Sequence, residues 1–455
     1  MKFLKLSLTI LFLIICQYTW AQNKKKASYP DYLQPAHAVN TVTMVMVHDV
    51  VSPPVAARYY AYCTLGAYDI VSANNNKIPA LSTFINTYPG NKSLASANVK
   101  YDYKIAAYYS ILETAKLLLP SGFMLKDNED AFIELLQKTK VPQDIITNSV
   151  KVAEDASAVV VAFSKNDHYS QLSALKRYTP IKDESKWYPT PPMYMEAVEP
   201  NWKTIRTLLI DSATQYKPKA LIPFSKDTTS EFYGQAKAVY DASKNLSPEQ
   251  INQALFWDCN PFAVTTSGHM AIGYKKISPG GHWMHIACLV AQKANLSFDE
   301  TVMVIALNGT TLMDAFISCW EEKFSSNRIR PETFINRFID VKWQPTLQTP
   351  PFPEYTSGHA VISNASAELL TYLLGDNFAY TDNTEIPFGS GQRDFKSFRQ
   401  AAAEASMSRF YGGIHYMQSI QNGNDQGKNL AVGIIDKIKK VGIMPLYKNL
   451  DTAKQ

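Results

Sequence analysis

The chain has 455 residues, of which 46% are hydrophobic and 19% charged, and its formal net charge at pH 7 is +5. A charge this balanced argues against nucleic acid or an anionic membrane as a partner, so any electropositive feature must be local. A chain of this length can bury a large apolar core without disulfide staples. The cysteines form no Cys-x-x-Cys pair, which excludes a zinc ribbon and a thioredoxin-like motif.

The N terminus has the composition of a secretory signal. Lys2 and Lys5 precede the apolar run 6–16, which is too short to span a bilayer, and Ala21 is a small residue suited to cleavage. The pattern predicts a signal peptide over 1–21, a flexible lead-in over 22–35, and export to the periplasm or the medium. No later stretch is judged long and apolar enough to cross a membrane, so no membrane span is predicted. One or two disulfides or buried free thiols remain open for the other cysteines, Cys63, Cys259, Cys288 and Cys319.

Beyond the lead-in, apolar residues recur at three- and four-residue steps, which predicts helices. An N-terminal helical half is predicted over 36–175, with helices at 37–51, 55–73, 98–119, 128–139 and 143–164. Seven prolines interrupt 176–224, which predicts an irregular connection packed over the surface. A C-terminal half follows over 225–445, with helices at 231–258, 282–294, 298–323, 359–375, 394–411 and 425–440. Strand patterns are scarce, and the sequence predicts an all-α fold of two helical bundle halves.

Two segments of the C-terminal half carry groups suited to anion binding. Lys323 closes a predicted helix, and Arg330 follows after six residues. Further on, Ser357 can cap the next helix, and Gly358 lets backbone N–H groups approach a ligand closely. A helix N terminus with free amides is an anion site, and His359 stands beside it. Each segment alone also fits an ordinary helix end.

A third segment contains Arg409, a pair of glycines and His415. The glycines break a helix, so both side chains can converge on one point. The three segments follow the order Lys-x6-Arg-Pro, Thr-Ser-Gly-His and Ser-Arg-x5-His, with gaps of 24 and 48 residues between them. This order resembles the signature shared by type 2 phosphatidic-acid-phosphatase-like enzymes and vanadium haloperoxidases. A second Thr-Ser-Gly-His at 266–269 lies outside that order.

The resemblance implies a fold like vanadium chloroperoxidase and the acid phosphatases, with a bound tetrahedral oxyanion. A vanadate cofactor would be held by Lys323, Arg330, Ser357, Gly358, His359, Arg409 and His415. Arginines can each bind two of its oxygens, and a lysine adds a compact charge. By the resemblance, His415 bonds to the vanadium, His359 is the general acid/base, and Lys323 polarises bound peroxide.

Several positions qualify this expectation. The family usually has an aspartate four residues after its last histidine, where this chain has Ser419, a weaker partner for the imidazole. Trp320 and Phe352 resemble aromatic residues lining the halide side of haloperoxidase sites, although each also fits ordinary core packing. Asp258 is a candidate partner for one of the arginines. Two further histidines, His282 and His285, could bind zinc, but the lack of a third ligand favours a structural role for them.

The large helical N-terminal half favours a haloperoxidase over the shorter soluble phosphatases. The leading hypothesis is vanadate-dependent oxidation of halide by H2O2 to hypohalous acid, with iodide preferred and bromide possible. Vanadium would keep its highest oxidation state, so no redox protein partner is expected. Two alternatives stay open: a secreted acid phosphatase with His415 as covalent nucleophile, and a non-catalytic oxyanion-binding protein.

Overall fold

The computed structural model describes residues 29–91, 94 and 99–447. The predicted signal peptide 1–21 and residues 22–28 of the predicted lead-in lie outside the described residues. The described end of that lead-in is packed rather than free. Tyr29 is buried with its ring edge-on to Phe298 at 5.4 Å, and Leu33 is buried as well.

The N-terminal helices begin close to the predicted positions. They are α1 Pro35–His48, α2 Pro53–Asn74, α3 Tyr103–Leu118, α4 Leu125–Lys138 and α5 Gln143–Ser164. Pro35 and Pro53 occupy first helical positions, where their fixed φ favours helix initiation. The Asp102 carboxylate caps α3 by accepting two backbone N–H groups. Helix α3 packs between α2 and α5.

The proline-rich connection 176–224 is irregular apart from the 3-10 turn Trp202–Thr204. It is tied to the C-terminal half by a buried carboxylate. Asp314 accepts the backbone N–H groups of residues 208, 209 and 210 at 2.8, 2.6 and 2.9 Å. Trp187 and Trp202 are fully buried. The segment is therefore an ordered cover on the helical core, as the sequence predicts.

The C-terminal half is also mainly helical. Its elements are α6 Glu231–Lys244, α7 Pro248–Phe256, β1 Val264–Ser267, β2 Met270–Gly273, α8 Pro279–Lys293, α9 Phe298–Ser326, α10 Pro331–Phe338, α11 Gly358–Leu374, β3 Tyr380–Asp382, β4 Arg393–Phe395, α12 Phe398–Tyr411 and α13 Met417–Lys440. Strands β1 and β2 form one antiparallel hairpin, and β3 and β4 form another.

The sequence prediction for this half is wrong in four details. The predicted helix 231–258 is two helices, because Ser247 and Gln250 form a capping box and Pro248 starts a new helix. Helix α10 and the two hairpins are absent from the sequence prediction. Helix α12 begins at Phe398 rather than at 394, since the preceding residues belong to β4 and the cap Ser397. Helix α13 starts at Met417, eight residues before the predicted 425.

Helix α9 is the central element of the fold. It packs against α2 from the N-terminal half and against α11 from the C-terminal half, and the largest buried apolar cluster draws residues from both halves. A helix that is apolar all round is stable in water only when it is buried like this. By length and composition α9 could also cross a membrane, so the sequence prediction that no later stretch could do so is wrong. All of its apolar window is buried inside the fold.

Candidate active site

The ends of four helices bring the three sequence segments together. Lys323 lies in the last turn of α9, and Arg330 occupies the position just before α10. Ser357 caps the N terminus of α11, where its Oγ accepts the N–H of Ala360 at 3.5 Å. Arg409 lies in the last turn of α12, and His415 in the loop before α13, after Gly413 with a φ of +76°. All of these side chains are buried.

The Gly358 position leaves room for a ligand. A Cβ at Gly358 would meet only the Trp320 ring at 3.7 Å and the Lys323 Cε at 3.9 Å. The N terminus of α11 therefore opens toward Lys323 and the Trp320 ring, and its free amides can face an anion there.

Lys323 organises the loop in front of α11. Its Nζ donates to the carbonyl oxygens of Pro353, Glu354 and Thr356 at 3.1, 3.1 and 2.5 Å. Burial lowers the pKa of Lys323 to about 7, and the nearby Arg330 contributes to the lowering. A nearby anion favours the charged lysine, so an oxyanion in this site would stabilise the ammonium form that donates to these three carbonyl oxygens.

The contacts of His415 determine its tautomer. Arg330 Nη1 lies 3.1 Å from His415 Nε2, and a guanidinium only donates, so Nε2 accepts. The ring proton is then on Nδ1, which donates to Glu354 Oε1 at 2.9 Å. Burial, together with the charges of Arg330 and Lys323, holds the pKa of His415 well below its usual value. The imidazole is neutral, and its Nε2 lone pair faces the cationic side of the site.

Glu354 is the residue that the sequence reasoning missed. Its Oε1 also accepts the backbone N–H of Tyr416 at 3.1 Å. Ser419, at the position where the family has aspartate, has its Oγ 3.4 Å from His415 Nδ1, which is long for a hydrogen bond. A carboxylate therefore does support the histidine, but it comes from a segment 61 residues away. The position of Glu354, five residues before His359, was the one sequence signal that could have identified this residue.

His359 and Arg409 occupy the other side of the site. The buried Nε2 of His359 has no hydrogen-bond partner among the described residues. Burial and, after it, the charge of Arg409 hold the pKa of His359 well below its usual value. Arg409 is held by the carbonyl oxygens of Trp257 at 2.8 Å and Ala254 at 3.2 Å, and burial lowers its pKa.

The proposed pairing of Asp258 with an arginine is wrong as a direct contact. The Asp258 carboxylate binds Lys276 at 2.5 Å. The negative charge of Asp258 still acts on Arg409 from a distance. It raises the pKa of the Arg409 guanidinium and so opposes the lowering caused by burial.

Trp320 and Phe352 line one pocket together with His359, Arg409 and His415. The two aromatic rings lie with centroids 4.9 Å apart. The Lys323 ammonium is 5.1 Å from the Phe352 ring centroid. The aromatic pair thus forms an apolar wall of the pocket beside the cationic residues.

Other sequence candidates lie elsewhere. The second Thr-Ser-Gly-His forms the exposed end of the β1–β2 hairpin, with Gly268 at a φ of +58°. The four cysteines of the described chain, Cys63, Cys259, Cys288 and Cys319, are free and buried. His285 Nε2 contacts the Thr43 hydroxyl at 2.9 Å, whereas His282 Nε2 contacts Asp382, so these two histidines do not share a ligand.

The polar atoms of the site fit an oxyanion. Three buried cationic side chains and two neutral histidines converge there: Lys323, Arg330, Arg409, His359 and His415. The Glu354 carboxylate contacts His415 among them. Among the described residues, the buried Arg330 Nη2 and His359 Nε2 are without partners. Buried polar atoms in native proteins are normally hydrogen-bonded, so these two atoms point to a ligand. Fold and site together define a helical protein with a buried oxyanion pocket.

Comparison with solved structures places this chain in a known family. A bacterial vanadium-dependent iodoperoxidase is 38% identical, with a TM-score of 0.82, and the match covers 90% of this chain and 97% of that one. The chain therefore belongs to the vanadium-dependent haloperoxidase family, whose enzymes use vanadate and act on halides with peroxide. The family resemblance and the all-α fold expected from the sequence are confirmed.

More distant matches support the fold. Holo and apo structures of a bacterial vanadium-dependent chloroperoxidase are 15% and 14% identical, with TM-scores of 0.63 and 0.60. They cover 93% and 86% of this chain and 97% and 95% of their own chains. At that identity they show the fold alone. The family model of the VCPO second helical-bundle domain matches residues 303–442. A comparison with curated proteins finds no significant match.

Proposed function

We propose that this haloperoxidase oxidises iodide with hydrogen peroxide to hypoiodous acid and uses bromide less well. The observation that carries the proposal is the neutral His415, whose Nε2 lone pair lies among buried cations. The name of the 38% identical iodoperoxidase supports iodide. Iodide is also the easiest of these halides to oxidise, so it demands the least activated peroxide.

We assign the binding of vanadate to residues already gathered in the pocket. His415 Nε2 would ligate the metal, and Arg330, Arg409 and the N terminus of α11 at Ser357 and Gly358 would donate to its oxygens. Bound vanadate supplies a Lewis-acidic centre that activates hydrogen peroxide toward halide. Vanadium would keep its highest oxidation state, so the purified protein should turn over without a redox protein partner.

The remaining steps belong to side chains of the chain itself. Lys323, whose pKa is lowered to about 7, would hold a proton at Nζ once an anion is near and so stabilise negative charge on oxygen. His359 is neutral with a free Nε2, so it can accept a proton from incoming peroxide and return it to the product. The apolar wall of Trp320 and Phe352 would receive the halide beside Lys323, where a large polarisable ion loses least by dehydration.

One observation favours a second candidate, an acid phosphatase. The absence of an aspartate at Ser419 argues against a nucleophilic histidine, but Glu354 supplies the missing carboxylate at 2.9 Å from His415 Nδ1. A neutral imidazole supported in this way could also attack phosphorus through Nε2. Family membership favours the peroxidase.

The test is halide-dependent H2O2 consumption by the purified protein, with and without orthovanadate, for iodide, bromide and chloride in turn. Vanadate-dependent turnover that is fastest with iodide supports the proposal, and His415→Ala should abolish it. Phosphate-ester hydrolysis that vanadate inhibits would support the phosphatase instead. No turnover in either assay, in protein shown to bind vanadate, would contradict both proposals.

We also propose that the protein is exported to the periplasm or the medium. The support is the segment 1–21, with two lysines before an apolar run and a small residue at its end. Mass spectrometry of protein isolated from its native host should find a chain that begins at Gln22. A chain that retains residues 1–21 in the cytoplasmic fraction would refute this proposal.

A further inference from the structure

A second group of potential ligands lies beside the anion pocket. Cys259 follows α7, His282 lies in the first turn of α8, and Glu385 lies between β3 and β4. Cys259 Sγ is 3.3 Å from His282 Nδ1 and 3.7 Å from Glu385 Oε1, and His282 Nδ1 is 3.2 Å from the same oxygen. All three side chains are buried. Three different parts of the chain thus meet at one point.

These separations match those of ligands around one tetrahedral zinc ion. With zinc bonds of 2.0–2.3 Å to nitrogen, oxygen and sulfur, ligand atoms stand about 3.4–3.6 Å apart. The three distances in the structure, 3.2, 3.3 and 3.7 Å, lie close to this range. Thiolate, imidazole and carboxylate are also the ligand types that zinc prefers.

The other ring nitrogen of His282 is arranged as in zinc sites. His282 Nε2 lies 2.8 Å from Asp382 Oδ2. The other oxygen of Asp382 accepts the backbone N–H and the hydroxyl of Thr384 at 3.0 and 2.6 Å. A carboxylate that accepts from Nε2 keeps the proton there and leaves the Nδ1 lone pair for a metal. The Nδ1 lone pair is then directed at the space between the sulfur and the oxygen.

We propose that Cys259, His282 and Glu385 bind one zinc ion, with Asp382 orienting the histidine and water as the fourth ligand. Zinc binding displaces the thiol proton of Cys259 to solvent, because the thiolate is the ligand. The site does not depend on the halide chemistry. It is a structural brace between α7, α8 and the β3–β4 hairpin.

The brace lies behind the anion pocket. The Trp257 ring stacks on His282 with centroids 4.5 Å apart, and the Trp257 carbonyl accepts from Arg409 at 2.8 Å. Cys259 is two residues further along and lines the pocket itself. Zinc would therefore hold the segment that positions Arg409. Without metal, the same groups would form a protonated histidine between two carboxylates, which is the competing arrangement.

The decisive experiment is elemental analysis of full-length mature protein after gel filtration, without added chelator. Wild type from zinc-supplemented medium should contain about one zinc per chain. Cys259→Ala should retain less than about one tenth of that amount, since it removes one of the three protein ligands. Cys288→Ala is the matched control. Cys288, on α8, is a buried free thiol like Cys259, but it lies outside the cluster. It should keep its zinc.

Two further measurements guard against a variant that fails to fold. Asp382→Asn keeps all three ligands and should weaken zinc binding about 10–100-fold in a chelator competition. Metal-stripped wild type loaded with Co²⁺ should show thiolate charge-transfer and tetrahedral d–d absorption bands. Folded wild type with almost no zinc and no cobalt bands would overturn the proposal, as would equal zinc in Cys259→Ala and Cys288→Ala. Vanadium content, measured on the same samples, reports separately on the anion pocket.

Discussion

Replacing Glu354 with glutamine tests how the protein prepares its histidine. The substitution preserves the size of the side chain and its acceptor for the Tyr416 N–H, and it removes the charge that faces His415 Nδ1. In the native chain that contact is 2.9 Å long and completely buried. The glutamine can still accept from Nδ1, but only as a neutral partner.

The expected magnitude follows from this one bond. A hydrogen bond to a charged group contributes about 1.5–3 kcal/mol and a neutral one about 0.5–1.5 kcal/mol. The difference of roughly 1–1.5 kcal/mol corresponds to about a tenfold change in an equilibrium constant. This agrees with the lower end of the 10–100-fold loss that follows removal of such supporting groups at metal sites. We therefore expect Glu354→Gln to weaken vanadate binding about tenfold.

The assay is a titration of each protein with vanadate and, separately, with phosphate. Vanadate needs the Nε2 lone pair and should lose affinity, whereas phosphate does not need a metal–nitrogen bond and should bind within about threefold of wild type. Ser419→Ala is the control. Because its 3.4 Å contact is long, its vanadate affinity should change less than about twofold.

Two results would refute the reasoning. If Glu354→Gln and Ser419→Ala weaken vanadate binding equally, Glu354 does not support the histidine. If phosphate binding falls as far as vanadate binding, the variant has disturbed the whole pocket. Circular dichroism and the thermal unfolding midpoint of both variants show whether the fold is intact. Glu354→Asp, which retains the charge, should recover part of the vanadate affinity.

Three other predictions follow from Lys323, His359 and Asp314. The pKa of Lys323 is lowered to about 7 in the ligand-free protein, so above that pH the binding of an anion is coupled to proton uptake by Lys323. The vanadate affinity of wild type should therefore fall, relative to that of Lys323→Met, by up to about tenfold for each pH unit above this pKa. Parallel pH curves for the two proteins would contradict this. His359→Ala should lower iodide oxidation by about 100-fold or more while the bound vanadium persists, as measured by initial rates and elemental analysis; unchanged rates would exclude it as the proton carrier. Asp314→Ala leaves three backbone N–H groups without their acceptor and should cost about 3 kcal/mol in urea unfolding; a loss below about 1 kcal/mol would show that water replaces the carboxylate.

Local patterns were enough to predict most of the helices. Apolar spacing depends on the 3.6-residue turn, so it indicated α2, α5 and α9 within a few residues of their ends. The same reasoning joined α6 and α7, because the apolar pattern runs through the capping box that separates them. It also missed the hairpins, whose short strands have no long alternating pattern.

The order of Lys323, Arg330, Ser357, Arg409 and His415 was visible in the sequence because each lies at a helix end with recognisable neighbours. The partners of these residues were not visible. Glu354 reaches His415 across 61 residues, and Cys259, His282 and Glu385 come together from three separate elements. Such contacts depend on how helices pack and leave no periodic trace along the chain.

The sequence by itself determined the helical fold class, the chemical identity of the anion-binding groups and their order. Only the tertiary structure decided their protonation and direction. Burial lowers the pKa of Lys323 and of both pocket histidines, and a guanidinium on one side with a carboxylate on the other selects the tautomer of His415. The physical reason is that charge states depend on desolvation and on neighbours in space, which are set by packing and not by local sequence.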